Sequence, residues 1–132
     1  MMKSLTLIFA LTLSVMFSSS GSAGWTKVGT FPDGDTFYVD FERIRKHGGY
    51  VYYWRLVDYL KPDKWGDSSA QMYVQGDCKL LRSKTLAWST YTRPMGRGDH
   101  STFINKPNKN WTYPRPNSVS ESDLKSVCAS AK

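Results

Sequence analysis

The sequence is poor in the residues from which catalytic and metal sites are usually built. Its 132 residues include two histidines, and His47 and His100 stand in no spacing typical of zinc ligands. It has no glycine-rich phosphate loop, no serine nucleophile motif and no complete calcium loop. Glycoside hydrolysis needs two paired carboxylates, and the sequence shows no pairing among the candidate acids, which are Asp40, Glu42, Asp58 and Asp77. We therefore predict a protein that is not an enzyme and uses no metal or cofactor.

The sequence also lacks an apolar run long enough to cross a membrane. Residues 5–17 form an apolar run of 13 residues, whereas a spanning helix needs about 20. Lys3 precedes this run and the small residues 18–23 follow it, which is the three-part pattern of a secretory signal peptide. We predict a signal peptide at residues 1–23 and one domain at 24–132, with a buried N-terminal helix as the alternative.

Cysteine is scarce, and its positions bear on both anchoring and stability. No cysteine directly follows the apolar run, so we predict that the protein is not a lipoprotein and keeps no transmembrane anchor after signal cleavage. Cys78 and Cys128 both belong to the exported part, where the compartment is oxidising. We expect them to form an intramolecular disulfide; two free thiols or an intermolecular link are the alternatives.

Acidic residues are scarce in the second half of the chain. Residues 25–78 carry seven Lys and Arg against eight Asp and Glu, whereas residues 79–132 carry ten against three. Such a basic surface favours anionic partners, namely sulfated glycans, acidic matrix proteins or anionic lipid. Nucleic acid is an unlikely partner because the protein is exported. The alternative is a solvated face that only keeps the protein soluble.

The aromatic content of 14% and the ten glycines favour strands and turns. Alternating apolar residues predict extended segments at 25–31, 36–39, 50–60, 68–78, 79–91 and 101–104. Residues 93–99 are predicted as a turn, and the proline-containing residues 105–117 as an extended crossing segment. Both faces of segment 50–60 are largely apolar, which predicts a central strand.

Near the C-terminus the spacing of the apolar residues changes from the alternation typical of strands to the spacing typical of a helix. Ser120 and Asp123 resemble a helix-capping pair. An apolar stripe follows at helical spacing: Leu124, Val127, Cys128 and Ala131. The fold class that we predict is α+β, a single antiparallel β-sheet with a C-terminal α-helix packed on one face and tied to it by a disulfide.

Aromatic, acidic and cysteine residues follow one another in a particular order along the chain. They are Trp25, Tyr38, Val39, Asp40, Ile44, the segment 51–56 with Trp54, Asp77, Cys78, Trp111, Pro116 and Cys128. Their order and spacing resemble those of the surface-adhesin protein E family of Gram-negative bacteria. The resemblance implies a small antiparallel sheet with a disulfide-tied C-terminal helix, and a binding role toward host extracellular matrix or serum proteins. It also implies a homodimer, with segment 50–60 or an edge strand as the candidate interface.

Two functions follow from these observations. The first is an exported, non-enzymatic, adhesin-like module that binds host matrix proteins or acidic glycans. The second is a soluble periplasmic structural or interaction protein that never reaches the cell surface. The predicted location is accordingly the periplasm or the medium. The candidate binding residues are basic or aromatic and lie in the second half of the chain: Arg93, Arg97, Lys106, Lys109, Trp111 and Tyr113.

A short motif within the basic half is the tripeptide Arg97-Gly98-Asp99, which integrins read when a loop tip displays it. Three residues carry little information, and a flexible turn is the interpretation that we prefer.

Overall fold

The computed structural model describes residues 24–131, so the predicted signal peptide at residues 1–23 lies outside the described residues. The described chain forms a seven-stranded antiparallel sheet with the order β1-β2-β4-β5-β6-β7, in which β3 pairs with β4 off this path. The strands are β1 (Trp25–Thr30), β2 (Thr36–Asp40), β3 (Arg45–His47), β4 (Tyr50–Asp58), β5 (Ser69–Asp77), β6 (Arg82–Arg93) and β7 (Arg97–Ile104). One helix in this part, α1 (Val119–Ser130), packs on one face. The predicted fold class is confirmed.

Strand β4 is central, as its two apolar faces predict. It pairs with β2 and β3 along one edge and with β5 along the other. Val51 and Tyr53 face the helix and are buried. On the opposite face, the rings of Tyr52 and Trp54 lie 6.2 and 4.9 Å from the ring of Tyr73. The core beneath the helix consists of Val39, Val51, Tyr53, Val74, Leu124 and Val127.

Several strand ends differ from those expected. The predicted strand 79–91 begins at Arg82, because the Asp77 carboxylate accepts the N–H groups of Lys79 and Leu80 and turns the chain. The predicted turn at 93–99 is too long. Arg93 pairs with Arg97 across a one-turn 3₁₀ segment, so β7 starts at Arg97.

The N-cap of the helix lies two residues before the predicted N-cap, Ser120. Ser118 is the N-cap, and its hydroxyl accepts the N–H of Glu121 at 3.2 Å. Glu121 in turn accepts the N–H of Asn117 at 3.2 Å. The expectation of Ser120 and Asp123 as the pair was wrong because Asp123 is buried against the sheet and does not cap the helix end.

The predicted disulfide joins Cys78 to Cys128, with a sequence separation of 50 residues. It fixes the helix to the end of β5. Gly76 allows the close approach there, since a Cβ at this position would come within 2.9 Å of the Leu124 side chain. Two free thiols and an intermolecular link are thereby excluded. Among residues 24–131, no helix combines the length and the apolar character needed to span a membrane.

A charged pair also links helix and sheet. Arg55 of β4 places Nε 3.0 Å from Oδ2 of Asp123, and the two side chains are 14% and 1% exposed. Arg55 also lies against the Phe37 ring, 4.5 Å from its centroid. Burial raises the pKa of Asp123 to about 6, although the charge of Arg55 opposes that shift. Burial of the ionised carboxyl group in the sheet–helix interface therefore costs free energy.

Candidate functional site

The six predicted binding residues lie at four places in the structure. Lys106 and Lys109 line one groove beside the β6–β7 hairpin. Trp111 lies in the crossing segment, and Tyr113 lines a second groove next to the helix. Arg93 and Arg97 face each other at the far end of the hairpin. Of these predicted residues, the structure brings Lys106 and Lys109 together in one concave site.

The crossing segment creates that groove by its path. Strand β7 pairs with β6 only from Trp88 onward. After Ile104 the chain leaves the sheet and returns to β6, where the Asn108 N–H donates to the Thr85 carbonyl at 2.9 Å. Thr112 then forms a bridge with Ser83. An opening is left over the middle of β6, between the end of β7 and the returning segment.

The groove has a volume of about 540 Å³, within the range of roughly 300–1,000 Å³ that is common for small-ligand sites. Its floor includes Met72, which packs against the core. Its lining residues are Met72, Thr85, Ala87, Trp88, Ile104, Lys106, Pro107, Asn108 and Lys109. Apolar walls with two lysines suit a ligand that carries both apolar groups and negative charge. We call this site the hairpin groove.

Sequence reasoning missed the apolar part of the hairpin groove. Trp88 is 42% exposed and Ile104 39% exposed. Trp88 and Ile104 face each other in register across the two strands. Their exposure follows from the position of the β6–β7 hairpin at the edge of the sheet. The alternation of apolar residues in β6 does not reveal that position by itself.

Trp111 holds the crossing segment in place. Its ring lies 4.2 Å from the guanidinium of Arg82 and 4.5 Å from Nζ of Lys84, and the Tyr50 ring is 5.5 Å away. Arg82 is itself fixed by a 2.9 Å bond from Nε to Asp77. Stacked cations of this kind stabilise the ring where it is. The Trp111 ring is therefore engaged in contacts within the fold.

Asp77 has an electrostatic role at this end of the sheet. Burial works to raise its pKa, but the hydrogen bond from Arg82 and the N–H groups of Leu80 and Lys79 outweigh burial and hold the pKa of Asp77 below its usual value. The ionised carboxylate thus orders both the β5–β6 turn and the arginine that stacks on Trp111.

Arg93 and Arg97 are remote from the lysines. The seven-residue step from Ile104 back to Arg97 spans roughly 20 Å in an extended strand. The tripeptide Arg97-Gly98-Asp99 forms the first residues of β7 and does not sit on a loop tip. The Asp99 N–H donates to the Thr92 hydroxyl at 3.1 Å, which ties the tripeptide to β6.

Three of the four acids considered for catalysis, Asp40, Asp58 and Asp77, make structural hydrogen bonds. Asp40 accepts from Arg43 and from the Glu42 N–H, and Asp58 accepts the Met95 N–H at 2.9 Å. His100 lies 6.1 Å from the Tyr91 ring. Among residues 24–131, no three His, Cys, Asp or Glu side chains cluster in a way that could hold a metal ion.

Comparison with known proteins identifies relatives of this fold. The sequence profile of the family described as surface-adhesin protein E matches residues 25–129. No curated protein sequence matches the chain. Crystal form II of Haemophilus influenzae protein E has a TM-score of 0.62 at 17% identity, covering 81% of this chain and 88% of that chain. A second structure of Haemophilus influenzae protein E gives 0.61 at 17% identity, with 81% and 85% covered. Protein E from non-typeable Haemophilus influenzae gives 0.59 at 17% identity, with 81% and 76% covered.

Proposed function

The chain belongs to the surface-adhesin protein E family, and we propose that it is an exported, non-enzymatic binding module whose hairpin groove attaches to host matrix or serum proteins or to acidic glycans. The observation that carries this proposal is the meeting of Lys106 and Lys109 with Trp88 and Ile104 in one groove. The second half of the chain, which supplies all four residues, also holds the excess of positive charge.

The groove suits such ligands for two physical reasons. Exposed lysines attract sulfate and carboxylate groups over the distance set by salt screening, and this attraction raises the rate of association with the ligand. A large aromatic ring beside them supplies the contact area on which interface energy concentrates. Trp88 is 42% exposed and so has apolar surface left for a partner.

We expect the Lys106→Gln/Lys109→Gln variant to bind heparin roughly tenfold more weakly than the unmodified protein, since it loses two exposed ion pairs worth up to about 1 kcal/mol each. The measurement is the salt concentration at which each protein elutes from immobilised heparin. Trp88→Ala should weaken binding to the same extent without changing the net charge.

The matched control removes the same charge from another face. Lys61 and Lys64 are exposed and lie outside the hairpin groove, so Lys61→Gln/Lys64→Gln should elute close to the unmodified protein. Equal losses in both lysine pairs would reduce the effect to net charge and contradict a groove. No retention of the unmodified protein at low salt would contradict an acidic ligand altogether.

A homodimer is also proposed, and the sheet limits how it could form. Strand β4 has paired neighbours along both edges, so a second copy cannot extend the sheet there. Strand β7 is exposed along its whole length and stands at one end of the strand order, and β1 stands at the other end. Pairing between copies would therefore use an edge strand such as β7 or β1, and contact through β4 would have to use its aromatic face.

The second candidate is a periplasmic interaction protein, and one observation favours it. Both cysteines of the chain are joined to each other, which leaves neither for a lipid anchor.

Location separates the two candidates. If the protein is an adhesin on the cell surface, external protease should cleave it on intact cells while a periplasmic control protein stays whole. Protection of both proteins until the outer membrane is opened would contradict surface display and favour the periplasmic candidate.

A further inference from the structure

A second groove lies on the helix side of the sheet, next to the hairpin groove, with which it shares Thr85, and has a volume of about 940 Å³. The β1–β2 turn forms one wall, and the segment from Thr112 to Ser118 with the start of α1 forms the other. Tyr53, Arg55 and Asp123 also line it. We call it the helix groove.

Asp123 is an incompletely bonded group in the helix groove. It is 1% exposed, and its Oδ1 atom has no hydrogen-bond partner among the described residues. Nε of Arg55, 3.0 Å from Oδ2, likewise makes no well-directed hydrogen bond. Nη2 of Arg55 donates a long hydrogen bond to the Ser120 hydroxyl, at 3.4 Å. A buried polar atom of this kind normally has a partner, so the pair has bonding capacity left for a ligand.

The charges that line the helix groove balance. Arg55 and Arg115 are cationic, and Asp33 and Asp123 are anionic. A strongly anionic ligand would meet two carboxylates, and a strongly cationic one would meet two guanidinium groups. The lining therefore favours a ligand without net charge.

The walls carry hydroxyl groups and one open aromatic ring. Tyr113 is 61% exposed, and its neighbour Pro114 also lines the groove. The Ser and Thr residues of the lining are Thr30, Ser83, Thr85, Thr112, Ser118 and Ser120. A ring face beside many small hydroxyl groups matches a molecule that has both C–H faces and hydroxyl groups.

We propose that the helix groove binds a short neutral saccharide, with a sugar hydroxyl bridging Arg55 and Asp123 and a sugar ring lying on Tyr113. A hydroxyl group both donates and accepts, so one hydroxyl donates to Oδ1 of Asp123 while it accepts from the guanidinium of Arg55. Neighbouring hydroxyls reach the Ser and Thr side chains of the walls. The two grooves share Thr85, but their charged and aromatic lining residues differ, and the hairpin groove takes acidic ligands.

The test uses the mature protein and three neutral probes: maltotriose, lactose and chitobiose. Amide NMR spectra recorded during titration should show shifts at Thr112, Ser118 and Ser120 with at least one probe. Tyr113→Ala should weaken that binding about tenfold, the effect expected on losing a central aromatic contact. Asp123→Asn should weaken it by a similar factor, because a charged hydrogen-bond acceptor is lost.

Two matched variants keep the test specific. Trp65 is exposed and lines neither groove, so Trp65→Ala should bind the probe as the unmodified protein does. Lys106→Gln/Lys109→Gln should keep saccharide binding while losing heparin, which separates this proposal from the proposed function. Tyr113 is at the surface, so Tyr113→Ala keeps the test valid even where Asp123→Asn fails to fold.

Several results would overturn the proposal. They are the absence of shifts with all three probes, shifts confined to Trp88 and Ile104, and unchanged binding in both Tyr113→Ala and Asp123→Asn. Tighter binding of sialyllactose than of lactose at the same amides would overturn the neutral class of ligand.

Discussion

Replacing Cys78 and Cys128 with serine is expected to lower the free energy of unfolding by about 4 kcal/mol, the chain-entropy value for a cross-link that closes a loop of this length. The separation of the two cysteines is 50 residues. Cys78 is exposed and Cys128 is half-buried, so serine leaves no large cavity and the loss reports on the cross-link itself. Equilibrium unfolding in urea, followed by tryptophan fluorescence, measures it.

The helix should respond first, because the disulfide joins it to the end of β5. Amide hydrogen exchange in α1 should become faster in the double variant than exchange in β4. Reduction of the unmodified protein should give the same loss of stability as the double variant. A loss below about 1 kcal/mol would mean that packing of Leu124 and Val127 alone holds the helix, contrary to the expectation for so long a loop.

Replacing Arg55 with methionine is expected to lower the free energy of unfolding by about 3–5 kcal/mol at pH 7, because it leaves the buried Asp123 carboxylate without its cation. Methionine keeps much of the apolar stem that packs beside Phe37. Urea unfolding at a series of pH values measures this loss together with its pH dependence.

The sign of the pH dependence follows from the pKa of Asp123, which burial raises from 3.8 to about 6 in the folded protein. Below about pH 4 both the folded and unfolded states hold the proton, and the stability linked to this group is fully present. It is lost as the pH rises from about 4 through about 6, because the unfolded state releases its proton in this range while burial makes the folded state hold its own. The charged groups that face or line the site are Arg55 on β4, and Asp33 and Arg115 in the groove walls.

Without Arg55 the pKa of Asp123 should rise further, so the Arg55→Met variant should lose stability over a wider range of pH and approach the unmodified protein near pH 4. The Arg55→Met/Asp123→Asn double variant has no charge at this site. It should recover most of the loss at pH 7 and lack this pH dependence. An Arg55→Met loss that is equal at pH 4 and pH 7 would show that packing, and not the buried charge, sets the effect.

The local pattern of the chain predicted most of the fold. The apolar residues on both faces of Val51 to Leu56 identified the central strand, and the spacing of Leu124 and Val127 identified the face by which the helix docks. These predictions succeeded because the period of apolar residues reports directly on which side chains must leave water. The pairing of Cys78 with Cys128 followed from there being two cysteines in an exported chain.

The two errors have different causes. Ser118, not Ser120, caps the helix, since Asp123 is drawn into the interface by Arg55, 68 residues earlier in the chain. Local propensity cannot register that distant interaction. Strand β7 starts early because Arg93 and Arg97, which are close in sequence, pair across a one-turn 3₁₀ segment.

The candidate binding residues were likewise predictable from the sequence only in part. Their charge and aromatic character were evident from composition, but their grouping was not: Lys106 and Lys109 line the hairpin groove, Tyr113 lines the helix groove and Trp111 is held between cations. The sequence by itself determined the fold class, the disulfide and the basic half, because periodicity, cysteine number and charge are properties of the chain. Only the tertiary structure decided which residues share a groove, because the path of the crossing segment and the docking of the helix depend on contacts between residues far apart in sequence.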